Sequence, residues 1–563
     1  MLEWIVCVVL VAAVLAPGAA AEAPGWQPEE FPISYWVGPP VEQNRLDAWQ
    51  TVANANFTVA GPMWGYSVAE NRKMLDFCRQ VGIKALVVDS RISPDLATDD
   101  ALTKHVSAIV KDYADHPALY GYYLQDEPND SLFPLLGRLS AAFLRRDPKR
   151  LPYINLFPTY ASVAQLGTPT YADHVDRYLR LVKPPVLSYD HYCLMQDGTD
   201  RADYFENLGL IREYGLRYNT PPWNIILSLP HLAYRDPTDA EMRWQVYTSL
   251  AYGMKGIMYF TYWTGKEDDQ AGRMAIVDSQ GRPTKRYGII RQLNGEMKVL
   301  GRILLGLTST GVYHSGEIPP GCTRAGTDLP LTLPAEQPLV LGLFRGRDGS
   351  EWAMVVNRDY DRAQDVTLGV KGHVASVGAI SPADGKETAL PLADGKLTLQ
   401  LAPGDGRLLR LLTRFAYAEL PKPVSEIRFE FDRDTEGWGG LNSLEPLAVQ
   451  NGILRSKVVG PDPFFSRGWL RIPANRYKEV VVRMRLRGAT SGQFFWTTSA
   501  EPNFGDDKYL SFPVNGDGQF HEYVIPVGKH PKWKGQAIRA IRLDPTVGGC
   551  IGETVEIDYI RGR

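Results

Sequence analysis

Residues 236–263 read "DPTDAEMRWQVYTSLAYGMKGIMYFTYW". Thr238 with Glu241 three residues later forms a capping box, and Pro237 stands immediately before it, so a helix starts here. Gly253 is placed to stop that helix, because glycine tolerates the left-handed backbone of a helix exit. Three residues on, "GIMYFTYW" from Gly256 is a dense apolar and aromatic run, of the kind that forms a strand buried on both faces. A capped helix feeding a doubly buried strand is one repeat of an α/β unit.

The same alternation extends back to residue 31. The earlier strand candidates are "ISYWVGPP" from 33, "FTVAGPMW" from 57, "KALVVDSR" from 84, "LYGYYLQDEP" from 119, "YINLFPTY" from 153, "PVLSYDHYC" from 185 and "NIILSLPHL" from 224. Successive starts lie 24 to 39 residues apart, enough for a crossover helix each time. "AENRKMLDFCRQVG" and "SLFPLLGRLSAAFLRR" carry apolar residues at helical spacing. Eight such units predict a (β/α)8 TIM barrel over residues 31–308.

Two all-β regions should follow. Residues 309–415 hold short strands punctuated by Gly, Asp and Pro, which predicts a β-sandwich, and "RFAYAELPKPVSE" reads as a linker. Residues 425–563, opened by "FEFDRDTEGW" and closed by "VEIDYI", look like a jelly roll of the carbohydrate-binding-module type. Trp469, Trp496 and Trp533 are its candidate sugar contacts, with core filling as the plainer alternative. Acids in its first and last strands suggest a possible structural Ca²⁺.

Composition narrows the function. In 563 residues the net charge is -3 with no basic run, which argues against nucleic acid as a partner. Residues 4–16, "WIVCVVLVAAVLA", are too short to span a bilayer comfortably and lead into Ala19-Ala20-Ala21. Residues 1–21 therefore read as a signal peptide, although Glu3 replaces the usual basic start, and a secreted or periplasmic protein without a membrane span is expected. Cys78, Cys193, Cys322 and Cys550 are too scattered for a disulfide framework, and no Cys/His spacing suggests a metal site or a required cofactor.

Barrel chemistry sits at the C-terminal ends of the strands. Those ends hold Trp36, Trp64, Asp89 with Arg91, Tyr123, Asp126 with Glu127, Tyr160, Asp190-His191-Tyr192, His231, and Tyr262-Trp263. Carboxylates among aromatics suit glycosidic cleavage: the leaving oxygen needs a proton from an acid of raised pKa, and the anomeric centre needs a second carboxylate. Rings of Trp and Tyr offer platforms for a sugar face.

"GYYLQDEP" resembles the Asn-Glu-Pro or Asp-Glu-Pro strand end of barrel glycoside hydrolases. "AYGMKGIMYFTYW" with "AIVDSQGRPTKRYGIIRQLNGEMKVLG" is similar to the eighth strand and final helix of β-galactosidase-like members. The resemblance spans about residues 31–305, and it implies Glu127 as general acid/base acting on a poly- or oligosaccharide. The large retaining clan adds a glutamate at the end of strand seven, where this chain reads "LSLPHL" without an acid. Three partners stay open: Asp126, as a substrate-assisted dyad with Glu127; Asp190 on strand six; and Glu267 in the loop after Trp263. Asp89, His191, Tyr192 and His231 are candidate substrate contacts, Trp263 is a candidate platform, and Asn155 reads as a satisfied buried amide. A barrel that binds glycans without cutting them is the alternative from another class.

Overall fold

The computed structural model describes residues 26–93, 98–413 and 424–563. The expected signal peptide and most of the expected linker lie outside these residues. The described chain divides into two compact units, parting at Thr413 and Arg414.

The first unit opens with the barrel. Its strands are β1 (Ile33–Tyr35), β2 (Val59–Ala60), β3 (Lys84–Val87), β4 (Leu119–Asp126), β5 (Leu151–Leu156), β6 (Leu187–Asp190), β7 (Pro222–Leu227) and β8 (Gly256–Phe260). They form an eight-stranded parallel sheet in which β1 pairs with β8 through Ile33 and Ile257. The ring closes between β1 and β2, where the Thr58 amide donates to the Ile33 carbonyl at 3.0 Å and the Ile33 amide to Thr58 Oγ1 at 2.9 Å.

Around the ring run α1 (Leu46–Asn54), α2 (Val68–Val81), α3 (Asp99–Tyr113), α4 (Phe133–Arg146) and the single-turn α5 (Val163–Leu166). They are followed by α6 (Tyr171–Val182), α7 (Tyr204–Arg217), α8 (Asp239–Ala251), the short α9 (Lys266–Gln270) and α10 (Tyr287–Leu304). The capping box read from Thr238 and Glu241 is formed in both directions at the start of α8.

The barrel interior is a packed plug. Trp36, Val59, Leu86, Tyr120, Leu151, Tyr153, Val186, Trp223, Ile225 and Met258 fill it from the inner faces of the strands. Trp26 stands edge-on to Tyr120 and Trp223. Strand β8 begins with Gly256 because a Cβ there would stand 2.8 Å from the Trp223 ring. These side chains fill the interior beneath the C-terminal ends of the strands.

The β-sandwich belongs to the same compact unit. Among the described residues it sets a six-stranded antiparallel sheet, beginning at Leu307–His314, against a three-stranded one around a separate apolar core. It is seated on α8: Gly342 lies against the Ala251 carbonyl, and Arg243 Nη1 donates to the Pro403 carbonyl at 2.7 Å.

The second unit is also a sandwich, of two antiparallel sheets. Here two expected sugar contacts are corrected. Trp496 and Trp533 are fully buried in its core, one ring edge-on to the other at 5.3 Å, while Trp469 is 61% exposed. Three of the acids in its opening and closing segments pair with arginines: Glu430 with Arg561 and Arg428, Glu556 with Arg455 and Arg485, Asp558 with Arg483. Among the described residues no group of three or more His, Cys, Asp or Glu is arranged to hold a metal, and no helix is long and apolar enough to cross a membrane.

Truncating a plug residue should cost far more than truncating a rim residue. Trp223→Ala is expected to lower stability by about 3–5 kcal/mol, and Trp64→Ala, half-exposed in the wild type, by under about 1 kcal/mol, in denaturant unfolding of the first unit.

Candidate active site in the barrel mouth

A bulge in β4 builds the site. Against β5, Tyr123 pairs with Tyr153, but the register then slips so that Gln125 meets Ile154 and Asp126 meets Asn155. Unbroken alternation from the inward Tyr123 would have turned Asp126 outward; the extra residue turns it into the barrel. Glu127 follows with φ of +40°, a left-handed conformation that costs a non-glycine residue about 1–3 kcal/mol. Its amide is held by the Asn155 carbonyl at 2.9 Å, and its side chain turns toward β6.

Asn155 is the hub. Its Nδ2 donates to Asp190 Oδ1 at 2.9 Å and to Asp126 Oδ1 at 3.2 Å. Its Oδ1 accepts from Ser188 Oγ at 3.1 Å, and Ser188 in turn lies 2.8 Å from the Tyr153 hydroxyl. From Ser188 through Asn155 the hydrogens point toward the two aspartates, so each bond polarises the next. The sequence reading of Asn155 as a satisfied buried amide agrees with this geometry, but the groups that satisfy it are the candidate catalytic acids themselves.

Three carboxyl groups now share one desolvated mouth. Burial raises Glu127 to about 7, helped by the charge of Asp126 and opposed by a hydrogen bond from Asp190. Burial likewise raises Asp126 to about 6, against the Asn155 amide. Asp190 is pushed well up, first by burial and then by the charges of Glu127 and Asp126. Asp190 and Glu127 are joined by a hydrogen bond that raises the one and lowers the other, so the two share a proton. Like charges this close cannot all ionise at neutral pH.

Aromatic walls flank the acids. On one side Trp36 and Trp64 stack at 5.4 Å, and both meet Tyr123 edge-on at 5.8 and 5.6 Å. The Tyr123 phenol is raised by burial and then by Asp126 and Glu127, which places this wall beside the acids. On the other side Tyr192, raised by burial and then by Asp190, leans on Phe260 at 5.2 Å, and His231 meets Phe260 edge-on at 5.0 Å.

Other sequence candidates stand elsewhere. Asp89 is consumed by a two-point pair with Arg91 at 2.7–2.8 Å and by the Tyr113 hydroxyl at 2.9 Å, facing helix α3 instead of the mouth. His191 is fully buried against Asp203, with Nε2 3.3 Å from Oδ1, so it supports the wall from behind. Tyr262 is buried between Tyr35 and Phe57. Trp263 is covered by the loop around Gly281, where a Cβ would stand 2.6 Å from its ring, so it offers no open platform. Glu267 is exposed on α9 and joins no contact with the three acids. Asp89, His191, Tyr262 and Trp263 stand away from the mouth for one reason: strand-end position does not say which side of the wall a side chain takes. Sequence reasoning also missed Ser188 and Tyr153, whose signal was a polar group inside an apolar strand, and Phe260, Arg201 and Tyr234 on the rim.

No family model and no curated protein matches the chain. Solved structures do overlap with it. One glycoside hydrolase shares 13% identity at a TM-score of 0.44, covering 68% of this chain and 93% of its own. A glycoside hydrolase family 5 protein from Bacteroides vulgatus shares 12% at 0.45, over 68% and 89%. A glycoside hydrolase family 30 subfamily 8 xylanase from Clostridium acetobutylicum shares 14% at 0.37, over 69% and 96%. At these identities and scores the chemistry has to be argued from the mouth itself.

The raised carboxyls carry a stability signature. Unfolded, Glu127 and Asp126 titrate near 4; folded, near 7 and 6, so between those pH values the folded chain holds protons the unfolded chain has released. Their contribution is full below about pH 4 and is lost as pH rises through 6 and 7. Glu127→Gln or Asp126→Asn should therefore stabilise the first unit at pH 8 by on the order of 2 kcal/mol, and the gain should vanish at pH 4. Thermal melts across this range check it; a gain independent of pH contradicts it.

Proposed function

We propose that the chain is a glycoside hydrolase acting on a carbohydrate in the barrel mouth, with Glu127 as general acid and Asp190 as the second carboxylate. The observation that carries this reading is the proton held between Glu127 and Asp190, in a mouth walled by Trp36, Trp64 and Tyr123. Glycosidic cleavage needs an acid still protonated near neutral pH beside a carboxylate that can ionise as charge develops. When a sugar enters, its glycosidic oxygen replaces Asp190 as the hydrogen-bond partner of Glu127. Glu127 then gives its proton to the leaving oxygen. Asp190, having passed the shared proton to Glu127, is left ionised and meets the positive charge growing at the anomeric carbon.

Asp126 has a different part. Asn155 holds it, and its contribution to Glu127 is charge, which keeps the acid protonated. Trp64, half-exposed and stacked on the buried Trp36, presents a ring face to the apolar face of a sugar. Export, expected from residues 1–21, is part of the same proposal, since extracellular glycans are the substrates such an enzyme would meet.

Glu127→Gln and Asp190→Asn should each reduce turnover of a nitrophenyl-glycoside panel by at least about 10³-fold while oligosaccharide binding survives. Asp126→Asn should lose less and move the alkaline limb of the pH–rate profile downward, because Glu127 loses the charge that raises it. A fully active Glu127→Gln variant would sink the assignment. It would leave a barrel that holds glycans without cutting them.

A further inference from the structure

The loop after β6 and the loop after β7 each carry an arginine, and the two are treated differently. Arg235 is saturated: Nη1 donates to the Met195 and Thr199 carbonyls, Nη2 to Asp200 at 2.8 Å, and Nε to Glu241 at 2.8 Å. It is the peg that ties the two loops together. Arg201 has none of this. Its guanidinium lies 4.0 Å over the Tyr160 ring and 5.7 Å from that of Tyr234. Its Nη2 has only a long 3.5 Å contact with the Tyr234 hydroxyl, its Nε is buried without a partner, and no acidic side chain pairs with it among the described residues.

A guanidinium partly stripped of water and given no anion is an unbalanced charge. Its position suggests what balances it. Tyr160 accepts the Tyr192 amide hydrogen at 3.3 Å, and Tyr234 meets the Tyr192 ring edge-on at 5.6 Å. Tyr192 and Tyr160 both sense the charge of Asp190. Arg201 therefore stands one layer of tyrosine rings away from the acids. The charge that raises Glu127 is that of Asp126.

We infer that Arg201 is the recognition group for an acidic sugar, bearing a carboxylate or a sulfate ester, in the position next to the unit being cleaved. This rests on reading the mouth as a glycan site. Three carboxyl groups would repel such a sugar, so accepting it requires a local cation, and arginine supplies planar paired donors that suit both anions. Packing on the Tyr160 and Tyr234 rings holds the guanidinium in place, with no acid of the described residues paired to it.

The test is calorimetric binding to the full chain carrying Glu127→Gln, so that turnover does not intrude. The probes are a hexuronic-acid oligosaccharide, a sulfated oligosaccharide, and their carboxyl-reduced and desulfated counterparts. One anionic probe should bind at least about tenfold tighter than its neutral partner, which also tells carboxylate from sulfate. Adding Arg201→Met should abolish that preference without changing neutral binding, and Arg201→Lys should keep part of it. A preference that survives Arg201→Met, equal binding of acidic and neutral probes, or no binding of any probe overturns the inference. Turnover of the same probes by the unmodified chain answers the separate question: acidic sugars that bind through Arg201 but are never cut defeat the hydrolase reading and leave this one standing.

Discussion

The Asn155 amide is the constraint on which the site depends. Its two hydrogens are spent on two carboxyl groups from different strands, and its oxygen is fixed by Ser188. It can turn over only by setting its oxygen against two acids, so Asp126 and Asp190 are held in place. Glu127 is drawn to the same spot by a left-handed backbone step and by its amide bond to the Asn155 carbonyl. Three acids held this close, with the barrel plug beneath them, cannot all lose their protons at neutral pH. The raised pKa values follow from that crowding in a desolvated space.

The plug and the mouth are one design. Trp223, Tyr153 and Met258 fill the lower barrel, and the Tyr153 hydroxyl also holds Ser188, the start of the chain that ends on the acids. Packing therefore orients the polar network from below, while the tyrosines of the loops after β5, β6 and β7 enclose it from above. The second unit shows what acids do without such crowding: Glu430 and Asp558 pair with half-exposed arginines, an arrangement worth little energy per pair.

Much of this was legible in the sequence. All eight strands lie where apolar runs predict them, and the Thr238–Glu241 cap is formed as read. Strand ends named Glu127, Asp126 and Asp190, and these do meet. The bulge after Tyr123 was not legible, because nothing in "GYYLQDEP" marks an extra residue. Neither was the inward turn of Glu127. Burial misled in both directions: Trp263, Tyr262 and His191 sit at strand ends yet face away from the mouth, and Trp496 and Trp533 fill a core where an exposed platform was expected. Asn155 was read as satisfied, and only the pairing of β4 with β5 and β6 shows by what.

The central claim is that Glu127 and Asp190 hold a proton between them near neutral pH. Infrared difference spectroscopy of the full chain, following the carbonyl band of protonated carboxyl groups against pH, reads that proton directly. The account predicts a band that persists to about pH 7 and is reduced in both Glu127→Gln and Asp190→Asn. A protonated-carboxyl signal gone by about pH 5, as for ordinary surface acids, would contradict it.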